Sequence, residues 1–430
     1  MSRATYFIDR LRSVNIDARL ARPCLLQSLP PTLMNRSFWI IAIINFINSL
    51  SFTILIPTIY QYGREFNLSD KETSFLFAIY SIAQFFATPI IGKLSDRFGR
   101  RPLLIISLVG TVIGNFLAGT ATSALVLFFA RFLDGVTGGN VSVAQAVISD
   151  VTTPENRARG FGVFGASLGL GFVMGPVLSL VAQQRSLGTS FLVSSAIATI
   201  ALILTILFLP ETLPERKNTD TNIFDLGLRD LIRGLTFPRL GILFIINLCV
   251  GTTFTLFTFA FQPYYLKVLN QDNKSLTLLF FAIGIVGVIV QLQGVKILTK
   301  YISLVKILFL GLFFRSLSFV LMPIVPDIYF FLAISTIFAI FNSVVQPMIS
   351  TLISLNTTPE DQGKMSGLNA SYLSAANGIG PVIAGLMVDQ NNPTTYGYPL
   401  YLAGIFTFIV LFFAVRNRSK YTPRQTQSTT

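Results

Sequence analysis

Twelve apolar runs of bilayer length govern what this chain can become. They fall at residues 37–60, 73–91, 102–121, 123–149, 160–183, 188–210, 240–262, 275–298, 303–325, 328–354, 367–388 and 398–415, and are numbered here span 1 to span 12. A helix rises 1.5 Å per residue, so about 20 apolar residues cross a hydrocarbon core of about 30 Å. Across 430 residues, 52% are hydrophobic and only 12% are charged, with a mean hydropathy of +0.66. That is too little charge to clothe a soluble surface of this size. The expected fold is an all-α integral membrane protein with twelve transmembrane helices.

A net charge of +13 raises the question of nucleic acid, but the placement of the charges answers it. With the N-terminus inside, 25 of the 32 Lys and Arg lie in cytoplasmic segments; Arg64, Lys71, Arg185, Lys267 and Lys274 lie outside, and Arg131 and Arg315 lie within spans. Positive charge is retained on the cytoplasmic side during insertion. The basicity is therefore a topology signal, with both termini cytoplasmic in a plasma (inner) membrane and no nucleic acid partner. There is no histidine, which removes the commonest metal ligand and the usual titrating group near neutral pH. No acidic or cysteine cluster suggests a metal site. Cys24 in the N-terminal segment and Cys249 in span 7 are not placed to form a disulfide.

An internal repeat divides the spans. Residues 147–162 read VISDVTTPENRARGFG and residues 352–367 read LISLNTTPEDQGKMSG, an ungapped match at an offset of 205 that also carries Gly175-Pro176 onto Gly380-Pro381. An offset of six spans implies two six-helix bundles related by a parallel repeat. The expected organisation is a cytoplasmic N-terminal segment over 1–36, a first bundle over 37–210, a cytoplasmic linker over 211–239, a second bundle over 240–416 and a cytoplasmic tail over 417–430. Residues 1–36 carry six arginines without a continuous apolar core, so they read as an amphipathic segment on the inner membrane surface and not as a secretory signal. Residues 223–235 could form a short surface helix in the linker.

Three constellations carry chemistry. Between spans 2 and 3 the chain reads Gly92-Lys-Leu-Ser-Asp-Arg-Phe-Gly-Arg-Arg-Pro102, a very short loop with Lys93, Arg97, Arg100 and Arg101 around one acid, Asp96. Gly92 is expected to permit close helix approach and Gly99 to supply a positive φ; Asp96 can pair with an arginine or cap a helix. In span 4, Arg131 and Asp134 lie three residues apart on one helical face, ~12 and ~16 Å deep at the helical rise. Intramembrane charges are costly and normally paired. In span 5, Gly162, Gly171, Gly175 and Pro176 suit close packing and a kink.

The segment at 92–102 resembles the loop 2–3 signature of the major facilitator superfamily, and more narrowly that of its proton-coupled drug and tetracycline exporters. Arg131 to Gly135 resembles that family's span 4 motif, and Gly171, Gly175 and Pro176 resemble its span 5 antiporter motif, although Ser179 and Leu180 stand where paired glycines usually follow. The resemblance implies alternating access around a site between the bundles, no cofactor beyond a proton gradient, and a small-molecule substrate, protons and the lipid bilayer as partners; a monomer is expected. It implies a gate latch from Gly92, Asp96, Arg97, Gly99, Arg100 and Arg101, with Asp96 near the start of span 11 at 364–367 and Asp150 as a further partner. It also places spans 1, 4, 7 and 10 around the cavity, making Asn48, Asn140, Gln145, Asn342 and Gln346 candidates for substrate contact.

Proton coupling needs a group that is charged in one state and neutral in another. Under this topology Asp134, beside Arg131, is the one acid inside the membrane. Drug-exporting relatives often carry an aspartate nine residues before the Pro57 position, where this chain has Asn48. That departure keeps open a uniporter or symporter for a sugar or organic ion, and beyond it a non-transporting receptor. Arg315 in span 9 has no acid to pair with and is expected to bond backbone or to snorkel. No nucleophile, paired general bases or phosphate-binding glycine loop suggests an enzyme.

Overall fold

The computed structural model describes residues 36–213, 228–358, 362–389 and 391–422; the N-terminal segment, most of the linker and the last residues lie outside that set. Nine helices among the described residues are long and apolar enough to cross a bilayer. Arg36–Thr53, Asn273–Ile289 and Gln362–Met387 complete twelve spans. The short helix Leu228–Leu235 covers the end of the linker segment expected to be helical.

Local sequence sets where the spans start and break. Span 2 begins at Asp70, three residues before the apolar run, because Ser69 and Glu72 form a reciprocal cap that satisfies two orphan amides. It then runs unbroken to Phe98, and span 3 starts at Arg100. The expected loop is thus mostly helix, turned at the single residue Gly99 with φ +108°. A residue with a Cβ is strained there.

Span 1 breaks after Thr53 and resumes as Ile59–Glu65. Span 4 is two helices, Ala124–Thr137 and Asn140–Val151, and not the single run expected. The break at Gly138-Gly139 lets span 2 approach: a Cβ at Gly139 would lie 2.5 Å from Ile91 Cβ. Gln84 of span 2 donates to the Gly138 carbonyl at 3.0 Å, so the break leaves no orphan there.

The parallel repeat is visible in the hydrogen bonds. Between spans 1 and 5, Asn45 Nδ2 donates to the Phe164 carbonyl at 3.2 Å and Thr53 Oγ1 to the Gly171 carbonyl at 2.7 Å. Between spans 7 and 11, Asn247 Nδ2 donates to Asn369 Oδ1 at 2.5 Å and Thr255 Oγ1 to the Ala376 carbonyl at 2.8 Å. Each donor recurs 202 residues on (45 to 247, 53 to 255) and each acceptor 205 residues on (164 to 369, 171 to 376). The glycines repeat with them. A Cβ at Gly175 would lie 2.7 Å from Thr53 Cβ, and one at Gly380 would lie 2.6 Å from the Thr252 carbonyl oxygen. Without side chains there, the two helices can touch.

Apolar side chains fill each bundle, Ile41, Leu104, Leu108 and Val147 in the first and Phe244, Leu308, Leu312 and Ile349 in the second. Large apolar residues such as Trp39, Phe116, Leu125 and Phe412 remain exposed around the outside, where lipid takes the place of a core. Spans 2 and 11 join the bundles, with Gly378 against Ser81 and Ile82 and Gly385 against Ser74.

Candidate functional site

Arg131 and Asp134 form a buried ion pair, with Arg131 Nη1 donating to Asp134 Oδ2 at 2.8 Å. Their setting is the interior of the first bundle. Span 3 closes over Asp134, since a Cβ at Gly114 would lie 2.8 Å from Asp134 Cβ. Arg131 is stacked over the Tyr80 ring of span 2, Cζ to centroid 4.2 Å, a cation–π contact that needs no exposed water. Its Nε has no hydrogen-bond partner among the described residues.

From Tyr80 a hydrogen-bonded line leaves the bundle. Gln84 Nε2 donates to the Tyr80 hydroxyl at 3.0 Å, and Ser374 Oγ of span 11 donates to Gln84 Oε1 at 3.4 Å. Gln84 thereby touches Tyr80, Gly138 of span 4 and the opposite bundle at once.

At the basic end, Arg100 is the hub. Its guanidinium bonds Asp96 at 2.5 Å, Asp150 at 2.9 Å and Ser95 Oγ at 2.7 Å. Arg101 Nη2 donates to the Ile206 carbonyl at 2.6 Å, and Arg97 lies over the Phe98 ring at 5.4 Å. A residue not singled out from sequence completes the cluster: Glu211 accepts the backbone N–H of Arg100 at 2.9 Å and of Arg101 at 3.3 Å, capping span 3. An acid at a helix N-terminus is stabilised by the orphan amides and the macrodipole. Its carboxylate also occupies the space a Cβ on Gly99 would need. These contacts tie spans 2, 3, 4 and 6 together within one bundle. The approach of Asp96 to the start of span 11, expected at 364–367, falls on the side chains of Lys364 and Ser366, which are not among the side chains described. Gly92 is not at a tight crossing, since the nearest atom to a Cβ there is Ser142 Oγ at 3.9 Å.

Two of the amide candidates meet: Asn140 Nδ2 donates to Asn48 Oδ1 at 2.8 Å between spans 4 and 1. Gln145 Oε1 is buried without a hydrogen-bond partner among the described residues. On span 10, Asn342 and Gln346 are half-buried one turn apart. Gly171 and Gly175 of span 5 lie against Ser49, Leu50 and Thr53 of span 1, and Pro176 follows within the same helix. Arg315 is fully buried and donates through Nη2 to the Val250 carbonyl at 2.7 Å and to Thr253 Oγ1 at 2.8 Å, both on span 7. It does not snorkel.

The family model of the Major Facilitator Superfamily matches residues 41–301 and 243–430. The chain belongs to the Major Facilitator Superfamily. Within the superfamily it is 26% identical over 388 residues to the class B tetracycline resistance protein of Escherichia coli, which covers 88% of this chain and 94% of that protein. It is 26% identical over 362 residues to multidrug resistance protein 1 of Bacillus subtilis, covering 84% of this chain and 90% of that one. Among solved structures, the human organic anion transporter MFSD10 superposes with a TM-score of 0.71 at 19% identity, covering 90% of this chain and all of that one. A bacterial homologue of the human lysosomal transporter Spinster, inward-facing and unoccupied, superposes at 0.72 with 14% identity, covering 91% and 98%. This superfamily member is accordingly a transport protein and not an enzyme.

Sequence reasoning missed one charged site. Asp70, assigned by position to a polar connection, is the first residue of span 2 and is 1% exposed. The capping signature Ser69-x-x-Glu72 could have placed it in a helix. Its partners Lys267 and Tyr396, 197 and 326 residues away, could not have been found that way.

Proposed function

We propose that this transporter exports small amphipathic, drug-like molecules in exchange for protons, with both termini in the cytoplasm and no cofactor. The observation that carries the reading is the Arg131–Asp134 pair, a carboxylate held inside the membrane and connected through Tyr80 and Gln84 to the other bundle. A coupling group must change charge as the bundles rock, so its surroundings must sense the rocking. Gln84 supplies that sense, because its bond to Ser374 crosses the bundles while its bond to Tyr80 braces the ring under Arg131. Span 3 encloses the carboxylate, so the coupling acts through the contacts of Arg131 and Tyr80 and not through a solute seated on Asp134.

Further support comes from the cytoplasmic cluster and from the relatives. Asp96, Arg100, Asp150 and Glu211 lock four spans into a unit able to move as one body. Asn48, Asn140, Gln145, Asn342 and Gln346 offer neutral hydrogen-bonding groups to a solute of low charge. Tetracycline and multidrug resistance proteins are among the similar sequences. The placement of 25 Lys and Arg on one side supports the cytoplasmic termini.

The Asn48–Asn140 pair favours a second reading, an uncoupled carrier of a sugar or organic ion, because an amide cannot take up a proton. Purified protein in proteoliposomes separates the two. A pH gradient should drive accumulation of members of a solute panel, and Asp134→Asn should abolish that accumulation while downhill exchange persists. Undiminished uphill transport by Asp134→Asn would remove Asp134 from the coupling role.

A further inference from the structure

Spans 9 and 12 touch along part of their length and leave a cleft at the ends that carry Lys306 and Arg416. Span 9, Leu304–Leu321, packs against spans 10 and 12. Its contact with span 12 is tight at Gly404, where Ser316 Oγ donates to the Gly404 carbonyl at 2.8 Å and a Cβ would lie 2.4 Å from Val320 Cγ2. Toward Lys306 the facing side chains are larger. Phe313 meets Phe408 edge to face, 6.0 Å between ring centres, and the cleft runs from Phe313 to Tyr301 with a volume of about 630 Å³. That volume lies within the range of small-molecule sites.

The walls change character along the helix axis. Phe309, Leu310 and Phe313 follow Lys306 by three, four and seven residues, so all four share one face of span 9. Phe408, Leu411 and Val415 share one face of span 12 at the same spacing. The two helices are antiparallel, which brings Phe313 level with Phe408 and Lys306 level with Val415. From Lys306 to Phe313 the apolar wall is about 10 Å long at the helical rise. The polar side chains Tyr301, Ser303 and Lys306 lie at its mouth.

Leu310, Phe313 and Val415 are each about two-fifths exposed, and the medium at this depth is hydrocarbon. Acyl chains therefore fill the cleft. The mouth decides which lipid they belong to. Residues 290–326 and 390–430, the two stretches that build the cleft, contain no Asp or Glu. Lys306 lines it, Lys300 precedes Tyr301 and Arg416 follows Val415, and none of the three makes an ion pair among the described residues. Ser303 stands at the start of span 9 without a side-chain capping bond. A tyrosine and a lysine that only anchored the helix ends at the interface would need no cleft between helices.

We propose that this cleft binds one anionic phospholipid of the cytoplasmic leaflet, its phosphate on Lys306 and Ser303 and an acyl chain along Phe309, Phe313 and Leu411. Basic recesses between transmembrane helices on the cytoplasmic side suit such headgroups. A free phosphate would leave the apolar wall uncovered. A zwitterionic lipid would bring a cation of its own to a mouth that already has three. A second copy of this chain would bring a cytoplasmic edge that is itself basic. The site does not depend on solute export, and only its leaflet is taken from the cytoplasmic termini proposed above.

The test maps the occupant. The full chain is placed in nanodiscs of phosphatidylcholine with a minor fraction of phosphatidylglycerol carrying a photoactivatable acyl chain, irradiated, and its adducts located by mass spectrometry. Adducts should concentrate at residues 306–313 and 411–415, and unlabelled phosphatidylglycerol should compete about fivefold or more better than phosphatidylcholine. Lys306→Gln should lower labelling of the cleft about fivefold, Lys306→Arg should keep it, and Lys296→Gln, outside the cleft, should change it less than about twofold. Val415→Trp, which fills the cleft from an exposed position, should displace the chains of either lipid. Trp39 emission in the variants that retain Trp39 as their one tryptophan, and thermal unfolding in Val415→Trp, show that each is folded.

Equal competition by phosphatidylcholine overturns the proposal, as does an equal loss in Lys306→Gln and Lys296→Gln, which would mean general attraction of anionic lipid to a basic face. Full displacement by glycerophosphoglycerol, the headgroup without chains, overturns it in favour of a phosphate site. Chain-to-chain adducts across the cleft overturn it in favour of a second copy. Lipid adducts form whether or not the protein exchanges solute for protons, so a failure of pH-driven uptake leaves this site standing.

Discussion

Replacing both members of the Arg131–Asp134 pair should cost far less than replacing either one. Asp134→Leu leaves a guanidinium buried at 4% exposure, with Nη1 deprived of its carboxylate and Nε still without a partner among the described residues. Breaking a buried pair from one side costs about 3–5 kcal/mol. Stacking on Tyr80 survives the change and is worth about 1–2 kcal/mol in a desolvated site, which favours the lower end, about 3 kcal/mol. Arg131→Met strands the buried Asp134 carboxylate and should cost about the same.

The double variant removes both charges and fills the space with apolar atoms, for about 1 kcal/mol. Two losses of about 3 set against a joint loss of about 1 leave a coupling on the order of 5 kcal/mol, beyond the roughly 0.5–3 common for touching residues. Relaxation will reduce it, so a coupling above about 2 kcal/mol is the firm expectation. Reversible unfolding in mixed micelles can report it through Trp39, the one tryptophan in the chain. A coupling below about 0.5 kcal/mol would refute the description of a dry, mutually dependent pair. The folded double variant should also show no pH-driven uptake, which separates coupling from stability.

Three further outcomes follow from particular contacts. Gly175→Ala and Gly380→Ala should each lower stability by about 1–3 kcal/mol through overpacking, whereas Gly92→Ala, with 3.9 Å to its nearest neighbour, should fall within about 0.5; thermal unfolding ranks them. Arg100→Lys should lose most transport despite keeping its charge, because one ammonium cannot reproduce the bonds to Asp96, Asp150 and Ser95; flux near the wild-type level would remove the hub from the gate. Thr53→Val and Thr255→Val, equivalent in the repeat, should cost about 1 kcal/mol each, and a difference beyond about 1 kcal/mol in unfolding measurements would show the two crossings to be energetically unlike.

What could be read from the chain alone was whatever depends on composition, short range or repetition. Twelve helices follow from apolar length, since a bilayer accepts no unsatisfied backbone. The 205-residue offset indicates two like bundles, and the hydrogen bonds from Asn45 and Asn247 repeat with it, their acceptors 205 residues apart and the donors 202. Arg131 and Asp134 could be paired on paper because residues three apart share a helical face.

Partners drawn from other helices stayed hidden, because hydropathy records that a helix is buried and not which neighbour its polar atoms meet. Arg100 selects Asp150 and Glu211, 50 and 111 residues away, and Arg315 finds a carbonyl and a hydroxyl on span 7 where no acid exists. Asp70 shows the limit most clearly. In sequence it is an acid in a polar turn; in the folded chain, a cap three residues long pulls it into span 2, and the meeting of two bundles supplies Lys267 and Tyr396. Desolvation gives a charge its consequence, and only the packing of distant segments decides which charges are desolvated.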